Sequence, residues 1–134
     1  MDIFDNTILL LREALNLRSA RHEILAANIA NGDTPGYRAL DLAFEKELRE
    51  AWVSSKGIAL VKTNPRHISS ALSPLSVAGR IEVGRPVSMG MDQNSVDMDR
   101  EMVKLAENSL MYEATVQMLI KKFRYLKDAI REGR

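Results

Sequence analysis

The chain contains no cysteine among its 134 residues. That removes disulfides, thiolate catalysis and cysteine-ligated zinc together. Aromatic residues make up 5%: three Phe, three Tyr and one Trp. Long helices packing through aliphatic side chains need few rings, whereas a compact core of this length would use more. Charge of one sign is lacking too. Nineteen Lys and Arg stand against eighteen Asp and Glu, a net charge of +1, so the basic excess of a duplex-binding protein is missing. The longest apolar runs are four residues (Ile8 to Leu11, Ile24 to Ala27, Ile58 to Val61), far short of the roughly 20 that span a bilayer. The opening Met1-Asp2-Ile3-Phe4-Asp5 is acidic and has neither the basic nor the apolar region of a secretory signal. It predicts that any export takes a route that cleaves no N-terminal signal.

Catalytic patterns are equally scarce. His22 and His67 are the only histidines. His22-Glu23 opens like a zinc-protease motif, but position 26 is Ala, and the second histidine is missing. The glycines at 79, 84 and 90 fit no phosphate-binding spacing. Asp97, Asp99 and Glu101 read as capping and dipole matching at a helix start rather than as a catalytic or calcium-binding set. No catalytic, cofactor or metal site is predicted.

What is present is helical, and it lies at the two ends. Ile8, Leu11, Leu15, Leu25 and Ile29 fall on a seam spaced alternately four and three residues, with Arg18 and His22 as its polar members. His22 is read there as a register-setting residue in a helix interface. A second seam carries Met102, Leu105, Tyr112, Val116, Leu119, Phe123, Leu126 and Ile130. Residues 92–113 hold six acidic and two basic residues, and residues 114–134 hold six basic and two acidic. That gradient suits the dipole of one helix from about 97 to 131, ended by Gly133. Such helices, about 40 and 50 Å long at 1.5 Å per residue, outrun a globule whose radius of gyration would be near 14 Å. They either pair with each other or pack against neighbouring subunits.

The predicted fold is therefore mainly α. Two long terminal helices with heptad seams form a coiled-coil-like rod, with a small irregular, partly β segment between them. The division is residues 1–31 for the N-terminal helix, 32–95 for the middle and 96–134 for the C-terminal helix. In the middle, Leu42, Phe44, Leu48 and Trp52 predict an amphipathic helix over 41–54. Ile58 to Val61 and Arg80 to Val87 are β-favouring.

One segment is locally distinctive: Ala27-Asn28-Ile29-Ala30-Asn31-Gly32-Asp33-Thr34-Pro35-Gly36-Tyr37. Gly32 is placed to end the helix in a left-handed conformation, and Pro35-Gly36 suits the centre of a type II turn. Through Ala27, Asn28, Ala30, Asn31, Thr34, Pro35, Gly36 and Tyr37 the segment closely resembles the N-terminal motif of the bacterial flagellar axial proteins, the rod, hook and hook-associated family. The stretch from Asn94 to Tyr112 and the Pro65-Arg66-His67-Ile68 loop resemble the proximal rod members of that family. In them Gly is usual where this chain has Gln93.

The resemblance implies a structural subunit of the proximal rod of the flagellar basal body, not an enzyme. It implies assembly with copies of itself, with FlgC, FlgF and FlgG-like rod proteins, and with the rod-base protein FliE and the membrane ring. It also implies export by the flagellar type III apparatus into the periplasm, without signal cleavage. The motif residues would then be an assembly motif and the two seams helix-packing surfaces. The paralogous rod subunit FlgC and a coiled-coil adaptor or secretion chaperone are the rival readings.

Overall fold

The computed structural model describes residues 6–56, 79–83 and 93–132. Helix α1 (Asn6–Ala30) leads into strand β1 (Leu40–Ala43) and helix α2 (Glu45–Lys56). Strand β2 (Arg80–Val83) and helix α3 (Met98–Glu132) follow. α1 holds no Gly or Pro in its 25 residues, so nothing interrupts its hydrogen-bond ladder. α3 runs for 35 residues. It begins on Asp97, whose carboxylate accepts the Arg100 amide at 3.2 Å, an N-cap at its usual position.

α3 packs along α1, and β1 and α2 pack against α1 as well. β1 and β2 form a two-stranded antiparallel ribbon with Leu40 opposite Val83 and Leu42 opposite Ile81. The core is small: Leu10 and Leu17 of α1, Leu42, Phe44 and Ala51, with Ala20, Ile24 and Leu48 at its edge. Gly79 lets the β2 end of the chain approach it, since a Cβ there would sit 2.8 Å from a Leu42 methyl.

The middle of the chain departs from expectation in one place. Leu42 belongs to a strand, and the helix expected from 41 starts at Glu45. Leu42 and Phe44 are both buried while Asp41 and Ala43 are half-buried. That alternation has the period of a strand, and it overlaps the helical spacing of Phe44, Leu48 and Ala51. The strand expected within Arg80 to Val87 is present at Arg80–Val83. Ile58 to Val61, the Pro65 to Ile68 loop and Gly133 lie outside the described residues.

The stripe that α1 buries is offset from its seam. Ile8 and Leu25 are buried, but the rest of the stripe is Leu10, Ala14, Leu17 and Asn28, one residue before Leu11, Leu15, Arg18 and Ile29. The run Ile8 to Leu11 is apolar on every face, so periodicity alone could not choose a side. The core around Phe44 chooses it. His22 is exposed on the subunit.

Candidate functional site

The distinctive segment folds into a turn that closes α1 and is held by residues from far along the chain. The end of α1 tightens: the Asn31 amide donates to the Ala27 and Asn28 carbonyls, and the Gly32 amide to Ile29. Gly32 does not adopt the left-handed conformation expected of it; among described glycines only Gly36 has positive φ, at 72°. The turn beyond the helix is instead held by side chains. Asn94 donates its amide to the carbonyls of Asn31 (3.1 Å), Gly32 (2.6 Å) and Thr34 (3.0 Å). These carbonyls belong to the turn that follows the helix, and Asn31 O and Thr34 O also accept the amides of Thr34 and Tyr37 within it. Asn31 donates back to Ala27 O at 2.8 Å, and Thr34 donates its hydroxyl to Asn31 Oδ1 at 3.2 Å.

The turn itself has the geometry that Pro35-Gly36 suggests. The Tyr37 amide donates to Thr34 O at 3.3 Å, closing a four-residue turn with φ of +72° at its third position, as type II requires. A later stretch of the same chain crosses it. The Ser95 amide donates to Tyr37 O, and Ser95 Oγ accepts the Ala39 amide at 2.9 Å.

Asn28 is the centre of the arrangement and is fully buried. Its Nδ2 donates to Leu40 O (2.6 Å) and to Glu101 Oε2 (2.8 Å). Its Oδ1 accepts from the Leu40 amide (3.0 Å) and the Tyr37 hydroxyl (3.3 Å). One side chain thus ties α1, the turn, β1 and α3 together. Of the expected motif residues, Asn28, Asn31, Thr34 and Tyr37 bond within this cluster and Gly36 supplies its φ. Ala27 contributes its carbonyl. Ala30 and Pro35 are exposed.

Charges extend the cluster. Glu101 is 3% exposed and accepts from Lys104 Nζ at 2.7 Å. Lys104 also lies 3.3 Å from Asp41, which Arg21 grips through Nε at 2.9 Å and Nη2 at 3.2 Å. Burial alone would raise Asp41. The hydrogen bonds and charge of Arg21, with Lys104 and the Leu42 amide, outweigh it and hold the carboxyl below its usual range. Burial would likewise lower Arg21, and its bonds to Asp41 and Glu45 leave it raised.

Glu101 was expected to serve the helix dipole, and the structure makes it a buried partner of Asn28. The signal for that was in the spacing. The buried residues of α3 are Glu101, Asn108 and Thr115, seven apart and all polar. Asn94 lies seven before Glu101 and holds the turn after α1. Asn108 donates to Arg18 O at 2.8 Å, while Asn108 Oδ1 and Arg18 Nε are buried without a partner.

Apolar residues flank this polar line. On one side, four residues on, are Leu105, Tyr112, Leu119 and Leu126; on the other, three residues on, are Met111, Met118 and Tyr125. Of the expected C-terminal seam, Leu105, Val116, Leu119 and Leu126 are half-buried, and Met102, Tyr112, Phe123 and Ile130 are exposed. Leu110 is 68% exposed and Tyr125 70%. α3 thus turns a polar line inward and leaves many large apolar side chains uncovered.

Among the described residues no cluster of three or more His, Cys, Asp and Glu could hold a metal ion, and no helix is long and apolar enough to cross a membrane. The arrangement positions backbone and helices.

Comparison with known proteins points the same way. Residues 8–38, α1 and its turn, match the family model described as flagella basal body rod protein. Along the whole chain, the FlgB flagellar basal body rod protein of Escherichia coli K12 is 37% identical over 138 residues, covering 99% of each. That of Salmonella typhimurium LT2 is 40% identical with the same coverage. That of Buchnera aphidicola from Acyrthosiphon pisum is 41% identical over 106 residues, 78% of this chain and 79% of its own.

Proposed function

The chain belongs to the FlgB family of flagellar basal body rod proteins, and from that premise we propose how it works. It is a structural subunit of the proximal rod, and it joins the drive shaft through the uncovered faces of its two long helices. The observation that carries this is the inside-out character of α3. A 35-residue helix that buries Glu101, Asn108 and Thr115 while exposing Leu110, Met118, Tyr125 and Ile130 is unfinished as a single subunit. Burying each such side chain against a neighbour contributes roughly 1.5–3 kcal/mol. Full-length likeness to FlgB proteins favours this reading over the paralogous FlgC and over a free-standing adaptor.

The turn at Thr34 to Tyr37 sets the angle between α1 and β1, and with Ala27, Asn28, Ala30 and Asn31 it serves as the assembly motif. The neighbours are further copies, other rod proteins of the FlgC, FlgF and FlgG kinds, and the rod-base protein FliE at the membrane ring. The subunit acts by packing and not by catalysis. It reaches the periplasm through the flagellar type III apparatus with no signal cleaved.

Leu110→Asp tests the central claim. Because Leu110 is 68% exposed in the subunit, the purified variant should melt within about 0.5 kcal/mol of the wild type. In cells it should be made and exported yet missing from purified basal bodies, and the cells should not swim. Normal incorporation together with normal swimming would mean that the outer face of α3 does not pack in the rod.

A further inference from the structure

An open groove of about 580 Å³ runs beside α1, between α2 and the C-terminal half of α3. Leu10 and Ala14 form its floor, Leu48 and Trp52 one wall, and Met118 and Tyr125 the other. It has the form of a helix-in-groove site, in which an amphipathic helix lays its apolar stripe between two others. Its rim carries Arg18, Arg49, Lys121 and Lys122 against one carboxylate, Glu45, which Arg21 already engages. A basic rim over an apolar floor calls for a helix that is apolar in the centre and acidic at its flanks.

This chain contains such a surface. The N-terminal half of α3 exposes Met102, Val103, Ala106 and Leu110, with Asp99, Glu107 and Glu113 beside them. The basic half of the same helix forms a wall of the groove. Their centres are some 15 residues apart on one helix, about 20 Å, so a molecule cannot fill its own groove.

We propose that the groove between α2 and α3 receives the acidic N-terminal half of α3 from a second copy. The second copy is shifted by about 20 Å along the helix axis. The inference rests on the rod-subunit reading and specifies one contact within it. The two surfaces differ, so the contact is heterologous and leaves a free groove and a free acidic face at either end of the pair. Subunits joined this way chain head to tail instead of closing as a dimer.

The absence of cysteine allows a direct test in assembled basal bodies. Arg49→Cys and Glu107→Cys subunits are co-expressed in cells lacking the native chain, and their basal bodies are treated with a short bis-maleimide. A subunit dimer should form from the mixture and not from either variant alone. Charge reversal checks the same contact. Arg49→Glu with Lys121→Glu in one subunit, or Glu107→Lys with Glu113→Lys in another, should each cut incorporation about tenfold, since like charges then face each other. Co-expressing the two should restore it, because each reversed surface meets its complement. If the cysteine variants are incorporated but give no dimer, or couple to a different rod protein, the second-copy proposal is wrong and the rod reading stands. If the native chain itself is missing from basal bodies, the rod reading fails and this proposal with it.

Discussion

Asn28 holds more of the turn than any residue beside it, and its removal should be costly out of proportion to its size. Asn28→Ala leaves the Leu40 amide and the buried Glu101 carboxylate each short of a partner. An unsatisfied buried group costs about 1–3 kcal/mol, so the purified subunit should lose about 3–5 kcal/mol in urea unfolding. A loss below about 1 kcal/mol would show that water replaces the amide easily. Two positive-φ positions nearby predict effects of opposite sign. Gly36, at φ 72°, has nothing within 4 Å of a would-be Cβ, so any penalty there is purely backbone. Gly36→Val should cost about 1–3 kcal/mol. Gln93, at φ 56°, bears that strain already, and Gln93→Gly should stabilise by about 1 kcal/mol. Thermal melts of the two variants should move apart; a shift in the same direction would contradict the backbone account.

At the scale of elements, α3 presents a polar line to α1 where a coiled coil would present an apolar one. Asn108 illustrates the consequence. It makes one bond, to Arg18 O, and leaves Oδ1 buried without a partner. A polar residue at such a position fixes register at the expense of stability. Asn108→Leu should therefore raise the unfolding free energy of the isolated subunit by about 1 kcal/mol. It should also lower incorporation into basal bodies, because α1 and α3 lose one mark of their alignment. A less stable variant that assembles normally would refute the register role. The seven-residue spacing of Glu101, Asn108 and Thr115 was visible in the sequence. The apolar seam beside it is the louder signal. The start of α2 was hidden for a related reason: Leu42 and Phe44 satisfy strand and helix periods at once.

At the scale of the whole molecule, Arg21, Asp41 and Lys104 fasten α1, β1 and α3 to one another. Asp41 titrates lower in the folded chain than in the unfolded one, where a carboxyl of its type titrates near 3.9. Its ionised form therefore adds stability above about pH 4, and that contribution disappears as pH falls through the depressed folded value. Unfolding free energy should decline with acidification in this range, and Asp41→Asn should be weaker at neutral pH with a flatter acid slope. Equal slopes for both proteins would show that the decline arises elsewhere.

The long helices, their approximate limits and the sharp exit at Pro35-Gly36 were determined by sequence alone, because periodicity, the absence of helix breakers and the φ of Gly are local properties. So was the family likeness of the segment from Ala27 to Tyr37. Which side of each helix faces inward was decided by tertiary structure. α1 is apolar almost all round near Ile8 to Leu11, and only the core at Phe44 selects Leu10, Ala14 and Leu17 over Leu11 and Leu15. The bonding of Asn94 to the turn after α1 and the meeting of Asn28 with Glu101 join residues 60 or more positions apart. No local pattern encodes such a pairing, since it exists only once α3 has folded back along α1.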